Sequence, residues 1–140
     1  MEGSTPISGP FIFDSSALID IENAGQVNAL PPPGRDYLVP WLVHKEINKK
    51  GKPLERWLRQ YSVRPQRFLP QEHLIYFGLI TQRDIKIHDA EATAIAMAIN
   101  RKGTLVITEG PGRAKAENHG VVCINGNEFL SILKPRLPGL

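Results

Sequence analysis

The feature that most constrains this chain is a repeated change of period along its length. Short apolar runs (Phe11-Ile12-Phe13, Tyr37-Leu38-Val39-Pro40, Leu105-Val106-Ile107 and Val121-Val122-Cys123-Ile124) alternate with stretches of helical spacing. Brief aromatic and β-branched runs read as buried strands. Strands that alternate with helices favour an α/β fold around a mostly parallel, buried sheet. The first helix is expected over Ala17–Ile21, with Asp14, Ser15 or Ser16 able to cap it. The second runs from Trp41 to Lys50, stopped by Gly51, and a third covers Pro53–Tyr61. Pro70–Gln82 is amphipathic, with Leu74, Phe77, Gly78 and Thr81 along its apolar face. His88–Lys102 is rich in alanine, slim enough to lie close to a sheet, and closed by Gly103 as a left-handed cap. Thr108–Gly112 reads as a turn, Arg113–Asn118 as a short helix and Gly126–Leu133 as the last helix. Pro31-Pro32-Pro33-Gly34 is a stiff loop.

At 140 residues and 41% hydrophobic content the chain suits one domain with a core that needs no staples. That domain is expected over residues 11–134, flanked by tails at 1–10 and 135–140. The single Cys123 leaves no internal disulfide and no cysteine-built metal site. No apolar run approaches a membrane span and no signal peptide opens the sequence, so a soluble cytoplasmic protein is expected. The net charge of +3 conceals a division. Eight basic residues lie between Lys45 and Arg67 against only Glu46 and Glu55, so this stretch carries +6 and the remainder −3. Segregation of this kind suits a polyanionic partner, or else a solvated helix face.

The acids fall at the ends of elements. Asp14 follows the first strand, Glu46 lies on the helix after the second, Asp89 opens the alanine-rich helix, and Glu109 follows Leu105–Thr108. Ligand sites of open parallel sheets collect in the crevice at the carboxyl ends of the strands. Converging carboxylates repel one another, and a hard divalent cation such as Mg²⁺ or Mn²⁺ resolves that cost. The chemistry that follows is metal-assisted phosphodiester hydrolysis. Asp14 and Asp89 equally suit helix capping, Glu46 an ion pair with Lys50, and Glu109 a turn. Asp89 and Glu91 point about 200° apart on a helix, so one of them faces the crevice; Asp89 is favoured and Glu91 held in reserve. The hydroxyls of Ser16 and Thr108 are placed to orient a carboxylate or a water.

These segments together resemble the PIN-domain ribonucleases. Phe11-Ile12-Phe13-Asp14-Ser15-Ser16 is similar to the family's opening strand and acid, and Val39-Pro40 through Glu46 to its second. Asp89-Ala90-Glu91-Ala92 resembles the third, and Leu105-Val106-Ile107-Thr108-Glu109-Gly110 the strand-Thr-x-Asp corner, with Gly110 where the family has Asp. Gly120–Ile124 is similar to the closing strand. The resemblance spans about residues 11–133. It implies a three-layer α/β/α sandwich and Mg²⁺- or Mn²⁺-dependent cleavage of RNA, with Asp14, Glu46, Asp89 and Glu109 as catalytic metal ligands. It also implies a homodimer and, as in VapBC-type toxin–antitoxin pairs, a cognate antitoxin. Arg56, Arg59, Arg64 and Arg67 are the candidates to hold an RNA backbone or to dock an acidic antitoxin segment. A PIN-like module that binds RNA or protein without cutting is the alternative. A phosphatase-type reading lacks its Asp-x-Asp, since Ser16 stands in the second acidic place.

Overall fold

The computed structural model of the chain describes residues 9–23, 36–48, 64–82 and 87–133. Along these run β1 (Phe11–Phe13), α1 (Ser15–Asn23), β2 (Tyr37–Pro40), α2 (Trp41–Asn48), β3 (Arg64–Gln66) and α3 (Pro70–Ile80). Then come α4 (Asp89–Arg101), β4 (Thr104–Val106), α5 (Pro111–Asn118), β5 (Val122–Ile124) and α6 (Gly126–Leu133). The expected helix over 53–61, the loop at 31–34 and both tails as far as residues 8 and 134 lie outside the described residues.

The five strands form one parallel sheet in the order β3-β2-β1-β4-β5. β1 is central: Phe11 stands opposite both Tyr37 and Thr104, and Ile12 opposite both Leu38 and Leu105. The chain builds outward from β1 to β2 and β3, then crosses to β4 on the other flank. The switch point therefore falls between β1 and β4, where parallel α/β sheets leave a crevice at their carboxyl ends. Alternate side chains of β1 serve opposite layers, as a strand's period of two requires. Phe11 and Phe13 meet Phe129 of α6 edge-on, with ring centroids 5.3 and 5.0 Å apart. Ile12 lies instead against the loop that follows α4. The result is the expected three-layer sandwich.

The alanine-rich helix does lie close to the sheet. Every residue from Ala92 to Ala98 is buried, and α4 packs on β1, β2 and β4 as well as on α2, α3 and α5. A helix enclosed on every side must be apolar on every side, and small side chains permit the close approach. Its end departs from expectation: Lys102 takes the left-handed conformation, at φ 54° and ψ 43°, in place of Gly103. Gly103 answers a different need. A Cβ there would stand 2.5 Å from Ile12 Cδ1 and 2.6 Å from the Pro10 carbonyl oxygen. At the far end of the fold, Asn125 and Glu128 cap α6 reciprocally, each side chain meeting the other's backbone amide at 2.8 Å.

β3 carries no apolar run, and α3 turns the wrong way for its apparent apolar face. Leu74 and Phe77 are exposed, whereas Glu72 and Leu79 are buried. A charge enters the interior because its partners are waiting there. Arg101 of α4 donates to Glu72 through Nε at 2.8 Å and Nη2 at 3.1 Å, Asn100 donates at 3.0 Å and the Leu69 amide at 2.8 Å. Arg101 also reaches the Arg67 carbonyl and Gln66 Oε1, which ties the edge strand to both helices. No helix among the described residues is long and apolar enough to cross a membrane.

Burial pushes the Glu72 carboxyl up, but hydrogen bonds from Arg101, Leu69 and Asn100 outweigh it and hold the group below its ordinary value of 4.5. Its ionised form thus contributes stability that is complete above the ordinary Glu range and lost as pH falls through the lowered folded value. Replacing Glu72 by Gln is expected to cost about 1.5–3 kcal/mol at pH 7, the range for hydrogen bonds to a charged group. In denaturation across pH 7 to 3, the gap between wild type and Glu72→Gln should close toward the acid end.

Candidate active site

The site grows from the last residue before α1. The Asp14 backbone carbonyl accepts from Leu18 N at 3.3 Å, and its Oδ2 accepts from the Ser16 amide at 3.3 Å and the Ser16 hydroxyl at 2.7 Å. Asp14 is therefore the N-cap of α1. Capping uses only Oδ2; Oδ1 is buried and finds no hydrogen-bond partner among the described residues. The two readings of Asp14, cap and ligand, occupy different oxygens of one carboxylate.

The Ser16 hydroxyl also accepts from the Thr108 amide at 3.2 Å, and Asp14 N donates to Val106 O at 2.9 Å. The ends of β1 and β4 are thus joined at the switch point. Thr108 Oγ1 is buried beside this junction and, like Asp14 Oδ1, has no partner among the described residues. Buried polar atoms in native proteins are rarely left so, and two together mark a place where something polar belongs.

Asp14 is 2% exposed. Burial raises its carboxyl above the ordinary 3.8, the Ser16 hydroxyl opposes that rise, and the negative charges of Glu91 and then Glu46 add to it. These are the carboxylates that Asp14 feels. Glu46 Oε1 accepts from the Ser15 hydroxyl at 2.6 Å, so adjacent serines of α1 hold two different acids. Glu91 sits at the third position of α4, where its Oε1 accepts from the His88 amide at 3.2 Å. Its other oxygen lies against Gly112, where a Cβ would stand 2.5 Å from Oε2. A side chain at 112 would displace that carboxylate from its place beside the start of α5.

The remaining expected ligands lie elsewhere. Asp89, favoured over Glu91 in the sequence, is exposed and lies near the Tyr76 hydroxyl, whose pKa is raised by burial first and by the charge of Asp89 second. The cause is local: His88 takes the N-cap and Glu91 the capping-box position, which turns Asp89 away. The Glu109 side chain is 75% exposed and pairs with Arg113 Nε at 3.3 Å. At Gly110, where the resemblance leads one to expect Asp, φ is +153°, a conformation that L side chains rarely adopt. The corner is built for glycine. Of the four basic candidates, Arg67 is exposed; the Arg64 side chain and all of Arg56 and Arg59 lie outside the described residues. Burial, and then Glu117, push the Cys123 thiol up to about 12, which removes it as a nucleophile.

A PIN-domain family model matches residues 10–126. The chain belongs to the PIN-domain family. No curated protein sequence matches it. Solved PIN-like structures share its fold at low identity. A PilT N-terminus domain protein of the hyperthermophilic archaeon Sulfolobus solfataricus superposes with a TM-score of 0.59 at 17% identity, covering 93% of this chain and 98% of that one. A protein from Pyrobaculum aerophilum gives 0.63 at 15% identity, covering 91% and 97%. VapBC2 from Rickettsia felis, solved bound to a DNA fragment from its promoter, gives 0.54 at 15%, covering 82% and 97%. PIN domains are generally nucleases, so phosphodiester hydrolysis is the chemistry against which the geometry is tested.

Among the described residues no three His, Cys, Asp or Glu side chains are grouped so as to hold a metal ion unaided. Mg²⁺ does not require that. It keeps several waters and takes one or two carboxylates together with substrate phosphate oxygens. Asp14 Oδ1, with Glu91 and Glu46 close enough to act on its charge, fits such an ion.

Because Asp14 ionises with difficulty in the fold, its charge opposes folding, and stability falls as pH rises from 3.8 through the raised folded value. In EDTA at pH 7, Asp14→Asn should therefore be more stable than wild type, by about 1–3 kcal/mol for one relieved buried group. Melting curves should show the gain vanish below the ordinary Asp range.

Proposed function

We propose that this PIN domain is a divalent-metal-dependent endoribonuclease, acting as the toxin of a toxin–antitoxin pair in the cytoplasm. The observation that carries the reading is the Asp14 carboxylate, buried at the carboxyl end of the central strand with one oxygen free and two acids nearby. In this reading Asp14 would hold Mg²⁺ or Mn²⁺ directly through Oδ1, with Glu91 and Glu46 engaging its waters and the substrate phosphate completing its shell. The bound ion supplies an activated water and neutralises charge on the phosphate. Ser16 fixes the Asp14 carboxylate by engaging Oδ2, which leaves Oδ1 turned to the ligand. Ser15 holds Glu46 in the same way, and the His88 amide with Gly112 fixes Glu91. The Thr108 hydroxyl orients a water at the crevice. Asp89 and Glu109 take no part in holding the ion.

Arg67, with Arg56, Arg59 and Arg64, contributes salt-sensitive affinity for the RNA backbone that is independent of sequence. The likeness to VapBC2 supports a cognate antitoxin as partner, and a homodimer belongs to the same reading. A second reading, a catalytically weak module that binds RNA or protein, is favoured by one observation: glycine at 110 and an outward Glu109 leave the site one carboxylate short of the family pattern.

Cleavage of a labelled single-stranded RNA with Mg²⁺, Mn²⁺ or EDTA separates the two readings. Turnover should require the cation and fall by about 10²-fold or more in Asp14→Asn, as for loss of a charge-stabilising group. Glu91→Gln should lose more than Asp89→Asn, and Glu109→Gln should cut like wild type. Cleavage that persists in EDTA or survives Asp14→Asn rejects the mechanism; tight binding without turnover selects the second reading.

A further inference from the structure

Along the same edge of the sheet, beside the carboxylates, lies an open groove of about 490 Å³. Half of its lining side chains are aromatic rings, Trp41, Phe68, His73, Tyr76 and Phe77, and Arg67 stands among them. Pro40 and Gln66, the last residues of β2 and β3, also line it. Since β2 is the neighbour of β1 and strands stand ~4.8 Å apart, the groove opens one to two strands from Asp14.

The rings are organised before any ligand arrives. Phe68 meets His73 edge-on at 5.0 Å and Tyr76 at 5.7 Å, and Tyr76 meets Phe77 at 5.7 Å. Trp41 and Phe77 nevertheless remain 49% and 57% exposed. Arg67 lies in the wall and Lys45 Nζ stands 5.2 Å from the Trp41 ring centroid; Asp89 lies near the Tyr76 hydroxyl at one end, and no carboxylate among the described residues lines the groove itself. Open aromatic faces combined with cations match a ligand that is planar and anionic, as a nucleotide is. The volume lies within the ordinary range for small-ligand sites. Of the exposed apolar residues of α3, Phe77 lines the groove and Leu74 and Ile80 do not.

We propose that this groove is a nucleobase subsite. It takes one unpaired base of an RNA strand, stacked on Trp41 and Phe77, while Arg67 and Lys45 meet the flanking phosphates. A base paired in a duplex cannot enter, so the subsite makes the protein selective for single strands and tolerant of sequence. The choice of RNA as occupant rests on the nuclease reading; the geometry of the groove does not.

The test is anisotropy of fluorescein-labelled oligoadenylate and of a blunt RNA duplex, in EDTA, with the Asp14→Asn protein carrying second substitutions. Trp41→Leu and Phe77→Leu keep apolar bulk and remove the rings. Each should weaken single-strand binding about 5- to 150-fold, the span of one base stacked on an aromatic side chain, and leave duplex binding unchanged. Trp41→Phe and Phe77→Tyr should restore it. Unchanged single-strand affinity in both Leu variants overturns the subsite, as does failure of the Asp14→Asn protein to bind oligoadenylate. Conversion of a dimer to monomer by the Leu variants, with RNA affinity unaltered, identifies the groove as a protein interface and also overturns it. Turnover by wild type is measured separately, so a protein that stacks RNA but never cuts it refutes the nuclease reading alone.

Discussion

A carboxylate held out of water at the end of the central strand is the constraint on which the rest of the structure turns. Asp14 must be there to cap α1, and it must be buried because β1 is flanked on both sides by parallel neighbours. One oxygen is satisfied by Ser16, and the other meets no partner among the described residues. The surrounding fold keeps this arrangement in place with interactions that do not depend on it: the Phe11, Phe13 and Phe129 cluster on one face of β1, and the closely packed α4 on the other. A local cost of this kind persists only where the remainder of the structure over-determines the geometry.

The second buried charge obeys the opposite rule. Glu72 is as deeply enclosed as Asp14, yet each of its oxygens is met, and Arg101 faces it across the α3–α4 contact. The contrast distinguishes two kinds of buried acid in this molecule. A carboxylate with all its partners supplied by the chain belongs to the architecture. One with an oxygen and two like charges left unresolved is suited to a ligand from outside.

Much of the fold was legible in the sequence because its strands are short apolar runs with both faces buried, and the helices between them carry alanine or clear periodicity. β3 was not legible for a physical reason. Arg64-Pro65-Gln66 is an edge strand, paired only with β2, and an edge tolerates both proline and polarity. The face of α3 was misread because Leu74 and Phe77 stand on the exposed side, while the helix buries a glutamate whose partner lies 29 residues away. At the site, Asp14 and Glu46 stood out by their position after strands. The choice between Asp89 and Glu91 depended on which residue takes the N-cap, and His88 was not an obvious candidate. The tight contact between Glu91 and Gly112 joins two helices that the sequence separates, so no local pattern announces it.

The bridge from Thr108 N to Ser16 Oγ spans 92 residues of chain. During synthesis, β1 and α1 emerge first, but their carboxylate stays incomplete until β4 has left the ribosome and docked beside them. The crevice is thus complete only once β4 and the Thr108 corner have docked, and a chain stalled before them carries Asp14 and Glu46 without that junction. The order of the strands in the sheet, with the first at the centre and the fourth beside it, ties completion of the crevice to the docking of β4.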